Sequence, residues 1–316
     1  MSFFVFTDAV SIKAEEWRSW NAADGRSLEA QLLKVTDDGV HVKRRADLKE
    51  LTIPFDLLSE EDRAYAKELL EKQQLTAEQE EKEVRRSRGL KEGKYAELIT
   101  DEFVRSRTDA GLPFQFWGSQ DFDGDERYPL VLFLHGGGAR GGDEDWSVGL
   151  GAKIWTDEEH REKHPCFVVA PRCPEPDNWR GHVGDQAAAL VRDLADHLPI
   201  DRSRIYVTGL SLGGGGSFYA VANHQDLFAA TILGANGGPV YELEKFKNVP
   251  IWQFHGELDA DSPVEQAREM AAAMKAAEAP HYQYTELAQQ PHVIGTLVYS
   301  DVEVREWLFA QRLRGE

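Results

Sequence analysis

The pattern of apolar and polar positions changes character near residue 98. Ahead of it, short alternating segments, "SLEAQLLKV" (27–35), "GVHVKRR" (39–45) and "ELTIPF" (50–55), are separated by Asp-Gly pairs at 24–25 and 38–39. Period-two alternation punctuated by such pairs predicts short antiparallel strands joined by tight turns and closing as a small β-barrel. "LSEEDRAYAKELL" (58–70) predicts a closing helix, with Ser59 as N-cap and Asp62 three residues on in a capping-box-like place. Residues 69–97 are almost wholly polar with helix-forming composition, and predict a solvated linker helix; a partner-binding helix is the other reading.

Beyond residue 98, apolar runs alternate with amphipathic ones. Buried-strand candidates are "PLVLFLHG" (129–136), "CFVVAP" (166–171), "RIYVTGL" (204–210), "AATILGA" (229–235), "PIWQFHG" (250–256) and "HYQYTEL" (281–287), with "LPFQFWGS" (112–119) as a leading antiparallel strand. Helix candidates lie at 184–198, 214–224, 263–279 and 301–313. Strands alternating with helices predict an α/β domain on a mostly parallel sheet. The expected organisation is a small β domain over 1–68, a helical linker over 69–97 and an α/β domain over 98–316.

Composition narrows the function. With 41% hydrophobic residues and eight tryptophans in 316, the chain can bury a core. A net charge of −19 argues against nucleic acid or an anionic membrane as partner. No apolar run approaches the roughly 18 residues that span a bilayer. The start, "MSFFVFTDAV", has a four-residue apolar cluster with no positive charge before it, unlike a signal peptide. A cytoplasmic address and a secreted one with the signal removed both stay open. Cys166 and Cys173 flank a predicted strand, which would hold them roughly 23 Å apart, too far for a disulfide.

The chemistry centres on "GLSLG" (209–213), a G-x-S-x-G pattern between a β-branched strand and a helix. So tight a strand–serine–helix turn needs neighbours without side chains, and it raises Ser211 at a helix N-terminus that favours negative charge. "FLHGGG" (133–138) follows another buried strand, and its glycine N–H groups could serve a developing oxyanion. Gly137 and Leu212 are the expected pair of donors, with Gly136 and Gly138 as neighbouring choices. "GGGARG" (136–141) also fits a dinucleotide pattern, but "GDEDWSVG" is no small-residue helix and the next strand ends "APRC" without an acid for a ribose. Neither glycine run carries Gly-Lys-Ser/Thr, so no phosphate-binding loop of that kind is present. No cofactor or metal is implied.

The chain order Ser, acid, His points downstream. The loop "HGELDADSPV" offers Glu257, Asp259 and Asp261 at the catalytic end of the sheet, and residue types alone do not choose among them. Of the later histidines, His281 begins a strand and so lies at the opposite end, whereas His292 follows that strand's end by five residues. Strand polarity selects His292 as general base. His135, Gly138, Trp146 and Trp179 are the candidates for a substrate pocket.

Two resemblances carry further expectations. "W..W...DGR.LEA.L", "DGV.VKR" and "PF..LSEEDRAYA" resemble the small SH3-like homology domain of cytoskeletal adaptors and bacterial hydrolases, which implies a spacer or a module that binds a peptide or protein partner. "YPLVLFLHGGG.RG.D", "FVVAPRCPEP..W", "DRSRIYVTGLSLGGGGSF" and "VPIWQFHGELDADSPVEQAREM" resemble α/β-hydrolase carboxylesterases of the feruloyl and acetylxylan esterase type, often called predicted peptidases. That resemblance implies an α/β-hydrolase fold over 98–316 and a small-molecule or polysaccharide-linked ester substrate. It also implies Asp259, counted from His255-Gly256, as the acid. The chain departs from the pattern at "PHVIGTLVYS", where a bulky residue often follows the histidine, and at "HGGGARGGDED", where substrate contacts are expected to differ. The rival readings are a serine peptidase of the prolyl-oligopeptidase clan, against which no propeller or terminus-binding charge cluster stands in the sequence, and a non-catalytic binding protein on a hydrolase scaffold.

Overall fold

Alternation in the first part of the chain becomes four strands, β1 (Arg18–Asn21), β2 (Ser27–Thr36), β3 (Gly39–Arg44) and β4 (Glu50–Pro54), in the computed structural model. The structure describes residues 17–88, 90, 92–140 and 148–313. The strands pair antiparallel in the order β1-β2-β3-β4. One face carries Trp20, Ala30, Leu32, Val35, Val40 and Val42, all buried, while alternate positions such as His41 face solvent. The sheet curls until its two edges meet in a bridge between Ala22 and Leu58. The Ser59 N–H donates to the Asn21 carbonyl at 2.7 Å beside that bridge.

A helix, α1 (Glu60–Arg88), follows without a break. Ser59 Oγ accepts the Asp62 N–H at 3.2 Å, as an N-cap does. Asp62 does more than a capping-box acid: it is buried, pairs with the Arg18 guanidinium and accepts the Asn21 N–H at 2.6 Å, so it pins β1 to the helix start. The chain divides into two compact units, Met1–Ser87 and Arg88–Glu316.

In the second unit, β5 (Val104–Arg107), β6 (Pro113–Trp117), β7 (Tyr128–Leu134), α2 (Gly149–Lys153), α3 (Glu158–Lys163), β8 (Phe167–Pro171), α4 (His182–His197), β9 (Ile200–Leu210) and α5 (Leu212–Asn223) come first. After them follow β10 (Ala230–Gly234), α6 (Leu243–Phe246), β11 (Ile251–Gly256), α7 (Val264–Ala276), β12 (Tyr282–Leu287), α8 (Gly295–Ser300) and α9 (Val302–Ala310). One eight-stranded sheet runs β12-β11-β10-β9-β7-β8-β6-β5, parallel from β12 to β8 and antiparallel at the β6 and β5 edge. The central strands are buried on both faces, Val207 and Ile232 among them, which is why they read as continuous apolar runs. Cys166 and Cys173 are both free and buried. Among the described residues no helix is long and apolar enough to cross a membrane.

Parallel strands deliver their C-terminal loops to one end of the sheet. The loops after β7, β9, β11 and β12 therefore converge there, carrying Gly136, Ser211, Asp259 and His292.

Candidate active site

Ser211 sits between β9 and α5 with φ +57° and ψ −119°, a left-handed conformation that costs a non-glycine residue of order 1–3 kcal/mol. Its N–H donates to the Gly234 carbonyl at 2.9 Å, and its own carbonyl accepts from the Gly215 N–H at 3.1 Å and the Asn236 amide at 3.2 Å. Those bonds hold the strained residue in place. A side chain at Gly213 would put its Cβ 1.9 Å from the Leu134 carbonyl oxygen, so the helix can cross the end of β7 only with glycine there. Gly213→Ala should therefore destabilise the protein by about 1–3 kcal/mol or more, read as a lowered urea midpoint at an unchanged m-value.

The Leu212 N–H is the first of α5 and has no intrahelical acceptor. The strand β7 ends in the turn that carries Gly136, Gly137 and Gly138, and a Cβ at Gly136 would lie 3.7 Å from that of Ser211, in ordinary contact. Arg140 braces this turn from outside, donating to the Pro176 and Asp177 carbonyls at 3.3 and 3.1 Å.

His135 and Trp179 are buried behind the glycine turn and are not among the residues that line the cavity beside Ser211. His135 is buried, with Nδ1 2.8 Å from the Gly136 carbonyl and Nε2 accepting the Cys173 N–H at 3.0 Å. The Trp179 indole donates to the His135 carbonyl at 2.9 Å, with the rings in edge contact. Burial, and then the nearby Arg172 and Arg140 charges, hold the imidazole below the usual histidine range, although its bond to Gly136 opposes that. Both side chains thus support the glycine turn from behind. Trp146 lies outside the described residues.

Asp259 follows β11 with its side chain wholly buried. Oδ1 accepts the Asp261 and Ser262 N–H groups at 2.9 and 2.8 Å. Oδ2 lies 2.7 Å from His292 Nδ1. Burial would raise this carboxyl, but the Ser262 N–H, the His292 ring and the Asp261 N–H outweigh it and hold the group below the ordinary aspartate value. The competing acids point elsewhere. Asp261 is exposed, and Glu257 accepts the Gln289 N–H at 2.8 Å.

Loops after β11 and β12 are zipped together. The Glu257 N–H donates to the Leu287 carbonyl at 3.0 Å and the Leu258 N–H to the Gln290 carbonyl at 2.9 Å. Any Cβ at Gly256 would meet the Pro291 carbonyl oxygen at 2.3 Å, so glycine lets the His292 loop lie against the strand end. This close approach brings together two residues 33 positions apart.

Ser211 and His292 line a cavity of about 280 Å³ with Gly136, Gly137 and Gly138. The remaining wall is largely apolar, made by Phe133, Leu210, Gly151, Val293, Gly295 and Tyr299. Tyr299 is tethered through its hydroxyl to Thr208 at 2.9 Å. The helix α8, which supplies Gly295 and Tyr299 to that wall, is not among the helices read from the sequence. A larger depression of about 610 Å³ sits at the other end of β9 among Asp196, His197 and Arg202, away from all of these residues.

No protein-family model matches the chain. A curated relative named "Probable feruloyl esterase C", from Aspergillus terreus, is 28% identical over 164 residues, 48% of this chain and 56% of that protein. The chain thus spans about half the length of that relative. A solved structure described as a thermostable esterase is 34% identical, covering 68% of this chain and 64% of that one with a TM-score of 0.61. The feruloyl esterase module from Clostridium thermocellum, solved with sinapinate, is 12% identical over 68% of this chain at a TM-score of 0.54, a likeness of fold. The second unit has the α/β-hydrolase fold.

Proposed function

We propose that the protein is a serine carboxylesterase acting through Ser211, His292 and Asp259. The observation that carries this reading is the 2.7 Å contact between His292 Nδ1 and the buried Asp259 carboxylate, on a histidine that shares one cavity with the strained Ser211. Likeness to proteins named esterases supports the same reaction class.

In the proposed cycle, Asp259 fixes the tautomer that carries a proton on Nδ1 and leaves Nε2 free to accept. Ser211 Oγ attacks the ester carbonyl carbon as its proton passes to Nε2. The carbonyl π pair moves onto oxygen, where the Leu212 and Gly137 N–H groups receive it. As that pair returns, the alcohol leaves with the proton from Nε2, and the acyl group stays on Ser211. Water then attacks the acyl-enzyme by the same steps and releases the acid. The buried carboxylate stabilises the imidazolium formed in each half-reaction.

An apolar wall and a small volume suit an uncharged acyl group, either short and aliphatic or aromatic. Aromatic esters of the feruloyl type belong among the proposed substrates because the relatives' names include them. Acetyl esters of plant polysaccharide are the second candidates. The N-terminal four-stranded unit is read as an SH3-like spacer or peptide-binding module.

A panel of p-nitrophenyl acetate, p-nitrophenyl butyrate, methyl ferulate and acetylated xylan, run beside peptide p-nitroanilides, tests the class. Turnover of at least one ester with no measurable peptide cleavage is expected. Peptide cleavage with inert esters would replace the reading by the peptidase one, and inertness toward both would favour a binding protein.

A further inference from the structure

Asp259 faces a second histidine that the proposed cycle does not use. His255 is wholly buried near the end of β11, four residues before the acid. Its Nε2 lies 2.7 Å from the Ser262 carbonyl oxygen and 3.2 Å from Asp259 Oδ2. A carbonyl can only accept, so Nε2 carries a proton and donates it to Ser262, with Asp259 Oδ2 beside that N–H at 3.2 Å. Nδ1 is buried and has no partner among the described residues. The Nε2-protonated tautomer leaves only a lone pair unmatched there, whereas a second proton would be a buried donor without an acceptor.

The loop from Gly256 to Ser262 has little apolar packing of its own: Leu258 is 56% exposed and Asp261 is exposed. Its first half is tied to the β12 loop through Glu257 and Leu258. In the second half, among the described residues, the one tie to the β12 loop is that of Asp259 to His292. That half is held by the Asp259 carboxylate, which accepts the Asp261 and Ser262 N–H groups, and by His255, which grips Ser262 from the strand. One N–H thus closes the loop onto the strand from which it springs, with its nitrogen 3.2 Å from the oxygen that faces His292.

We propose that His255 is a positioning residue for Asp259: its Nε2–H holds Ser262, whose N–H with that of Asp261 fixes Oδ1, so that Oδ2 meets His292. This inference rests on the roles given to Asp259 and His292 above. Without that hold the Asp261 and Ser262 N–H groups would shift and let Oδ2 turn away from the imidazole, and a misalignment near 1 Å costs roughly 100-fold in rate.

Three variants test it. The amide nitrogen of glutamine reaches about as far as Nε2, whereas that of asparagine stops near the place of Nδ1. With p-nitrophenyl acetate, and rates normalised to sites titrated by a fluorophosphonate, His255→Leu and His255→Asn should lower kcat roughly 10- to 100-fold with KM little changed. His255→Gln should recover most of the loss. Proton NMR supplies a readout that a purely structural role would leave alone: the low-field signal of the His292 Nδ1–H should weaken or move upfield in the Leu and Asn variants and return in the Gln variant. If the Leu variant does not fold, the Gln and Asn pair decides, since both are polar and close in size to histidine. Equal kcat for Gln and Asn, or a lowered kcat with an unmoved low-field signal, overturns the inference. An ester activity that survives Ser211→Ala would defeat the functional reading instead, and the NMR signal would still report on the link from His255 through Asp259 to His292.

Discussion

Ser211→Ala should lower kcat/KM for p-nitrophenyl acetate by at least about three orders of magnitude while leaving the fold intact. In the proposed cycle the nucleophile is the Ser211 hydroxyl oxygen, and alanine removes it. What remains would come from the oxyanion donors and from binding. Stability offers a second reading of the same site. Alanine keeps the Cβ that makes φ +57° costly, whereas glycine removes it. Ser211→Gly should therefore be more stable than Ser211→Ala by about 1 kcal/mol, and both should be inactive. Chemical denaturation of the two variants measures the difference. Equal stability would mean that the elbow is not strained as described.

Asp259→Asn should cost about 10⁴-fold in kcat, and the neighbouring Asp261→Asn no more than about threefold. The reason is the set of donors around the acid. Oδ1 accepts two backbone N–H groups, so asparagine must keep its carbonyl oxygen there. Its NH2 group then faces His292 Nδ1, which must become an acceptor. The ring proton is displaced to Nε2, the nitrogen that takes the proton from Ser211 in the proposed cycle. Asp261 contributes only its backbone N–H to this arrangement, and its carboxyl is exposed. Steady-state kinetics of the two variants measures the contrast, and equal losses would remove the special place given to Asp259.

Much of the α/β unit was legible because its central strands are buried on both faces and bounded by turn residues. "PIWQFHG" and "RIYVTGL" announce themselves, although β9 begins at Ile200, four residues earlier than the apolar run. β5 was missed because "VRSR" holds one apolar residue, and an edge strand is recognised by its partner more than by its pattern. α8 was missed because it is only six residues long and starts on a glycine. In the other unit, α1 was read as a closing helix and a separate linker, yet the polar stretch continues the same helix without any breaker.

Within the site, position along strands favours His292 over His281, because polarity fixes which end of a parallel sheet each loop reaches, and His292 lies beside Asp259 and the Ser211 cavity. Choosing Asp259 on the residues alone was beyond reach. Three carboxylates within five positions differ only in the direction that the loop turns them, and that direction depends on contacts with the β12 loop and with His255. A side chain beside a glycine turn can point into a cavity or behind the turn, and the sequence does not say which: the hydrogen bonds of His135 and Trp179 run to Cys173 and to the His135 carbonyl.

The most direct test of the central claim is covalent. Treatment with a fluorophosphonate, followed by peptide mass spectrometry, should find one phosphonyl adduct per chain, on the peptide that contains Ser211. The label should be absent from Ser211→Ala and strongly slowed in Asp259→Asn. A stoichiometric adduct on any other residue, or no adduct on a chain that hydrolyses esters, would contradict the account.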